Sequence, residues 1–171
     1  QTSNSLDVAI NGQGFLQVSM PDGTTSYTRD GSLHLDAQGQ IVTSNGFAVS
    51  PAITIPSNAT KINIGQDGIV TVNVPGQAAP TQVGQLQLAT FANPGGLLQV
   101  TQNLVAESAN SGIPQVGVAG TGARGQINNA QLELSNVDLS VQFTDMIRAE
   151  RGFQANSRII TTSDEMLQDL V

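Results

Sequence analysis

From Ser135 to Val171, the residues Leu139, Met146, Phe153, Ile160 and Leu167 recur at intervals of seven. An apolar repeat of seven on a helix keeps one narrow ridge turned toward a partner helix. One helical step away stand Gln142, Ala149, Asn156, Ser163 and Leu170, mostly small or polar, which lets a second helix come close. Phe143 and Leu170 add apolar surface, and Asn156 in such a ridge fixes register at some cost in stability. Ser135, Asn136 and Asp138 are all N-cap residue types, so one long helix is expected to begin near Ser135 or Asp138. Gly152 lowers helix propensity by roughly 1 kcal/mol relative to Ala and marks a close contact or a slight bend. Residues 1–134 hold no second heptad segment. A lone helix is marginal in water, so the mate is expected in another subunit or in a further part of the chain. The competing reading is an amphipathic helix folded back on its own domain as ordinary core.

Everything before the helix has a different period. Over residues 6–92 apolar and polar residues alternate in twos, with turn signals about every ten residues. Val8-Ala9-Ile10 leads through Asn11-Gly12 to Phe15-Leu16-Gln17-Val18, and Pro21-Asp22-Gly23 turns the chain toward Tyr27-Thr28. Leu33 and Leu35 share a face, Asp36-Ala37-Gln38-Gly39 turns into Ile41-Val42-Thr43, and Gln66-Asp67-Gly68 turns into Ile69-Val70-Thr71-Val72. Ile62 with Ile64, and Leu86 with Leu88 and Thr90, complete the strand set. Pro51 and Pro56 bracket Ala52–Ile55, which makes that piece an edge or crossing segment, because proline cannot donate to a ladder. Asn93-Pro94-Gly95-Gly96 is expected to end the dense strand region, Asn110–Gly125 to be a long loop or spacer, and Gln126–Leu134 to hold a last strand. The fold class that follows is a mainly β core of antiparallel hairpins, sandwich- or barrel-like, over residues 1–134. One long C-terminal α-helix with a coiled-coil-type seam follows over 135–171.

Charge narrows the function. The net charge is −7, so nucleic acid is excluded as a partner, since phosphate binding needs a basic patch. Three of the six basic residues, Arg148, Arg151 and Arg158, are interleaved on the helix with Asp145, Glu150 and Asp164, a mixed solvated face. With no cysteine, disulfides and thiolate metal sites are excluded. No apolar run approaches the roughly 20 residues that span a bilayer. The start, Gln1-Thr2-Ser3-Asn4-Ser5, has no initiator Met and no signal-peptide pattern, so a fragment is expected.

No constellation of chemistry-bearing residues stands out. Asp22-Gly23, Asp30-Gly31 and Asp67-Gly68 lack the spacing of calcium loops and read as turns. His34, the single histidine, points away from Leu33 and Leu35 and so toward solvent or a subunit contact. Gly120-Thr121-Gly122-Ala123-Arg124-Gly125 spells a dinucleotide fingerprint but follows no clear strand and opens no helix. No serine lies in a nucleophile elbow. No catalytic residue, cofactor or metal site is assigned, and no small-molecule substrate is expected.

Certain stretches are familiar in order. Ser135-Asn136-Val137-Asp138-Leu139, Met146-Ile147, Arg151-Gly152-Phe153-Gln154-Ala155-Asn156 and Thr162-Ser163-Asp164-Glu165-Met166-Leu167 resemble the C-terminal segment of bacterial flagellar basal-body rod and hook proteins. Asp7–Phe15, Tyr27-Thr28-Arg29-Asp30-Gly31, Pro51–Pro56, Leu86–Gly96 and Gln102-Asn103-Leu104 resemble the core domain of the distal rod members. The resemblance covers nearly the whole chain. It implies a structural, self-assembling subunit whose N- and C-terminal helices pack as an inner coiled-coil tube around an export channel, with the β domain outside. Members carry an N-terminal helical segment ahead of the part matching Asp7–Ile10, so a longer subunit is implied. They leave the cell through the flagellum's own type III export apparatus.

The function expected is therefore a subunit of the distal rod, assembling with copies of itself and with other rod and hook axial proteins, in the basal body. A short hook protein is the alternative, and a surface adhesin with an oligomerising helix a more distant one. The assembly seam is assigned to Leu139, Phe143, Met146, Phe153, Asn156, Ile160, Leu167 and Leu170.

Overall fold

The computed structural model describes residue 2 and residues 4–77, 79–101, 103–133 and 139–168; within the helix it describes the side chains of residues 141–158 and 160. The chain divides into two units, Gln1–Glu133 and Leu134–Val171, and each is taken by itself.

The first unit is built from short strands. They are β1 (Val8–Asn11), β2 (Phe15–Ser19), β3 (Thr25–Thr28), β4 (Leu33–Leu35), β5 (Ile41–Thr43), β6 (Ala48–Ser50) and β7 (Lys61–Ile64). Then come β8 (Ile69–Asn73), β9 (Thr81–Gln85), β10 (Gln87–Thr90), β11 (Leu98–Thr101), β12 (Leu104–Ala106), β13 (Gln115–Val118) and β14 (Gln126–Asn129). Among the described residues they form three antiparallel sheets. The largest runs β11-β12-β3-β2-β6-β5-β4, and β10 joins it by pairing both β2 and β13. The others are β7-β8-β9 and the pair β1-β14.

Period two sets the inward face. Leu16 and Val18 on β2, Val70 and Val72 on β8, and Val8 and Ile10 on β1 are all buried while the other residues of those strands are not. All of these except Val18 meet Leu33, Ile41, Leu86, Leu88 and Ile127 in one apolar core. Each such side chain contributes about 1.5–3 kcal/mol by leaving water. A smaller aromatic cluster lies apart, with Phe91 edge-on to Tyr27 at 4.9 Å and to Phe15 at 5.9 Å between ring centroids. The turns follow their residues. At Gly68 φ is +83° and a Cβ would lie 2.4 Å from the Leu86 carbonyl oxygen, while the Leu86 N–H donates to the Gly68 carbonyl at 2.8 Å. Both the backbone sign and the close approach require glycine there.

The segment between Pro51 and Pro56 crosses as expected, forming an isolated bridge Gln40↔Thr54 with Ile53 and Ile55 buried. Two expectations are overturned. Strands do not end at Asn93–Gly96: a 3-10 turn at Pro94–Gly96 leads into the β11–β12 hairpin, and β12 pairs with β3. Nor is Asn110–Gly125 a continuous loop, since Gln115–Val118 pairs with β10 in the register Gln87↔Val118 to Thr90↔Gln115. Gly117 and Pro114 mask the alternation, and the ladder partner lies far back in sequence. The glycine fingerprint at 120–125 consequently does follow a strand, but it leads into β14 rather than into a helix. His34 is exposed and Leu33 buried, but Leu35, assigned to the same face as Leu33, is exposed as well at 39%.

The second unit is the helix α1, Leu139–Gln168. The expected caps Ser135, Asn136 and Asp138 lie outside the described residues. The architecture is thus mainly antiparallel β with a single long C-terminal helix among the described residues, as the two periodicities imply. No helix among those residues is long and apolar enough to cross a membrane.

Candidate assembly surface

Seven residues on a helix advance the direction of a side chain to within about 20° of its start, so a heptad series forms a slowly drifting stripe. Along α1 this stripe is built from Met146, Phe153 and Ile160, with Phe143 beside it one turn before Met146; Phe143, Met146, Phe153 and Ile160 are 57%, 60%, 78% and 63% exposed. Side chains of this size normally leave water, and a contiguous exposed apolar row marks an interaction surface. Asn156 is exposed as well. The side chains of Leu139 and Leu167 are outside the described set, and so is Leu170 altogether. Sequence reasoning passed over Val141 and Ile147, both about half exposed. Ile147 stands four residues after Phe143, where i,i+4 adjacency widens the ridge; that spacing was the available signal.

Polar side chains on the helix pair locally. Arg148 donates to the Asp145 carboxylate at 3.4 Å, and the Gln154 amide donates to Glu150 at 3.3 Å. A Cβ placed at Gly152 would meet nothing within 4 Å. Among the described residues no close contact therefore demands that glycine.

In the β unit the acidic turn residues serve the backbone. Asp22 accepts from the Thr24 N–H at 2.9 Å and from its hydroxyl at 2.6 Å, and these bonds hold the Asp22 carboxyl below its usual value. Asp30 accepts from the Ser32 N–H at 3.0 Å and Asp67 from the Ile69 N–H at 3.1 Å. These are turn locks, in which the side chain replaces a ladder bond. Tyr27 sits in the aromatic cluster, where burial and then the Glu107 carboxylate push its phenol above 10.0.

Arg29 ties the start of the unit to its end. Its Nε donates to Glu133 at 3.1 Å, Nη1 to the carbonyls of Gly12 at 3.1 Å and Gly14 at 3.3 Å, and Nη2 to the Ile10 carbonyl at 3.3 Å. The rigid fork of guanidinium matches several acceptors at once, which an ammonium does not. Strands β1 and β14 pair from Val8↔Asn129 to Asn11↔Gln126, and beyond them the Thr2 N–H donates to the Ala130 carbonyl at 2.9 Å. The chain thus enters and leaves this unit side by side.

Comparison with known proteins agrees with both parts. Residues 9–72 match the family model described as the flagellar hook protein FlgE/F/G D1 domain. Residues 129–171 match the one described as the flagellar basal body rod FlgEFG protein C-terminal. The chain is 44% identical over 170 residues to the flagellar basal-body rod protein FlgG of Buchnera aphidicola subsp. Baizongia pistaciae, covering 99% of this chain and 65% of that protein. It is 45% identical over 175 residues to FlgG of Bacillus subtilis, covering 99% and 66%. To the flagellar hook protein FlgE of Borreliella burgdorferi it is 44% identical over 108 residues, 63% of this chain and 24% of that one. The chain spans about 65% of the length of the rod relatives it matches. Residues 9–72 matching the D1 model, residues 129–171 matching the rod C-terminal model, and 44% identity to a rod protein along 99% of the chain make it a member of the flagellar basal-body rod and hook protein family.

Proposed function

We propose that this chain is the core and C-terminal assembly portion of a structural subunit of the flagellar distal rod. The subunit stacks helically with its own copies and with other axial proteins of the basal body, around a channel for exported protein. The observation that carries this is identity of 44–46% to rod proteins along 99% of the chain. The hook protein matches a shorter stretch, 63% of the chain, which favours the rod over the hook. The role is mechanical rather than catalytic.

Residues 1–134 act as the outer β domain and 135–171 as the helix of the inner tube. The seam is assigned to Leu139, Phe143, Met146, Phe153, Asn156, Ile160, Leu167 and Leu170. Its support is the exposed row Phe143, Met146, Phe153 and Ile160. The mate is a helical segment of the subunit that precedes this chain. Two observations favour it: this chain covers about 65% of its relatives' length, and the start of the β unit runs beside its end.

Replacing both Phe153 and Ile160 with Asp tests the reading. Buried charge without a partner is costly, so the doubly substituted full-length subunit gives no rod polymer by electron microscopy and no motility. Normal polymers from that protein sink the reading.

A further inference from the structure

We propose that Met146 is an oxidation site through which a peroxide-class oxidant blocks assembly of the subunit; this rests on the assembly reading of α1. The Met146 side chain is 60% exposed in the middle of the apolar row. A thioether open to solvent takes an oxygen atom from hydrogen peroxide. The O–O bond breaks, the S–O bond forms, water leaves, and the sulfide is oxidised by two electrons as the peroxide is reduced. The product is a polar sulfoxide in place of an apolar, adaptable side chain.

The neighbours decide what that change does. Three and four residues from Met146, on its own face of the helix, stand Phe143, Gln142, Ala149 and Glu150. The sulfoxide oxygen accepts hydrogen bonds and donates none. Glu150 offers only a carboxylate, already engaged by the Gln154 amide at 3.3 Å. Phe143 and Ala149 offer no donor, which leaves the Gln142 amide as the single neutral donor at those four positions. Once a second helix covers the row, the S=O group leaves water with only that one neutral donor from its own helix face. An under-bonded polar atom of this kind weakens pairing by about tenfold or more. Met20 is the internal reference. It is half-buried, and its backbone is tied into a tight turn by its N–H to the Thr24 carbonyl at 2.9 Å and by the Gly23 N–H to its own carbonyl at 3.0 Å.

The test uses the full-length subunit containing this chain, with dilute hydrogen peroxide as the probe. Tryptic cleavage at Arg29, Lys61, Arg124, Arg148, Arg151 and Arg158 puts Met20, Met146 and Met166 on three separate peptides. In the unpolymerised subunit the Met146 peptide gains one oxygen several times faster than the Met20 peptide, and polymer made before treatment protects it. Peroxide treatment beforehand cuts polymer yield about tenfold. In Met146→Leu subunits the ratio of treated to untreated yield returns to one, each protein serving as its own baseline. The proposal is overturned if Met146 oxidises no faster than Met20, or if Met146→Leu subunits stay peroxide-sensitive. The underlying assembly reading fails separately, without peroxide, if the Phe153 and Ile160 double variant polymerises normally.

Discussion

Arg29 holds Glu133 at 3.1 Å while the rest of its guanidinium caps the carbonyls of Ile10, Gly12 and Gly14. The ion pair is the weaker half of this arrangement. Both side chains are partly exposed, and pairs of that kind contribute roughly 0.2–1 kcal/mol. The bonds to three carbonyls also hold the turn between β1 and β2. Glu133→Gln is therefore expected to cost less than about 1 kcal/mol, and Arg29→Ala about 1.5–3 kcal/mol. Arg29→Lys keeps the charge, loses the fork, and falls between them. Urea unfolding of the β unit gives the three values; equal costs for Glu133→Gln and Arg29→Ala would refute this apportionment.

Gly31 and Gly152 present opposite cases. A Cβ at Gly31 would stand 1.7 Å from the Val8 carbonyl oxygen, whereas at Gly152 the space is open. Gly31→Ala must push β1 away and is expected to cost more than about 3 kcal/mol, beyond ordinary overpacking. Gly152→Ala is expected to raise the helicity of α1, in line with a propensity gain of about 1 kcal/mol. Thermal unfolding checks the first and circular dichroism the second.

Core and ridge separate by the same logic. Leu88 is fully buried and Phe153 is exposed. Leu88→Ala is expected to destabilise the β unit by about 2–5 kcal/mol. Phe153→Ala is expected to leave the melting of that unit unchanged and to reduce polymer formation. A β-unit melting shift in the Phe153 variant would contradict the assignment of that side chain to assembly.

Tyr27 supplies the pH dependence. Burial raises its phenol above 10.0, and the Glu107 carboxylate adds to the rise. The fold therefore favours the neutral ring. This stabilisation is complete below the unfolded value near 10 and declines as pH rises through the folded one. Glu107→Gln removes the smaller cause and moves the titration down. The chain has one tyrosine and no tryptophan, so phenolate absorbance reads Tyr27 alone. An unchanged midpoint in Glu107→Gln would remove Glu107 from the account.

The elements readable in the sequence are those that declare themselves locally. β1 through β8 and β10 carry alternation and an Asp, Asn or Gly turn within a few residues, and α1 carries its sevenfold repeat, whereas β9, Thr81–Gln85, has Gly84 in its interior and was not read as a strand. β13 was missed because Gly117 interrupts its pattern and its partner β10 lies about 28 residues earlier, at Gln87–Thr90. Strand pairing over such a distance leaves no local mark. β11 is fully exposed and shows no inward face to detect. The Arg29 hub was equally invisible, since three of its acceptors are main-chain carbonyls, which every residue possesses. On the helix the spacing of seven was legible, while Val141 and Ile147 fall outside that period.

The pairing of β1 with β14 decides how the β unit bears load. Val8 and Asn129 lie opposite one another at the end where both strands meet the rest of the chain. Tension that separates the two chain ends would peel this ladder open rung by rung, its weakest geometry. Tension that draws both ends in one direction leaves the rungs untouched. Under the proposed assembly, a subunit held by both ends of this unit together would carry load without pulling on this zipper.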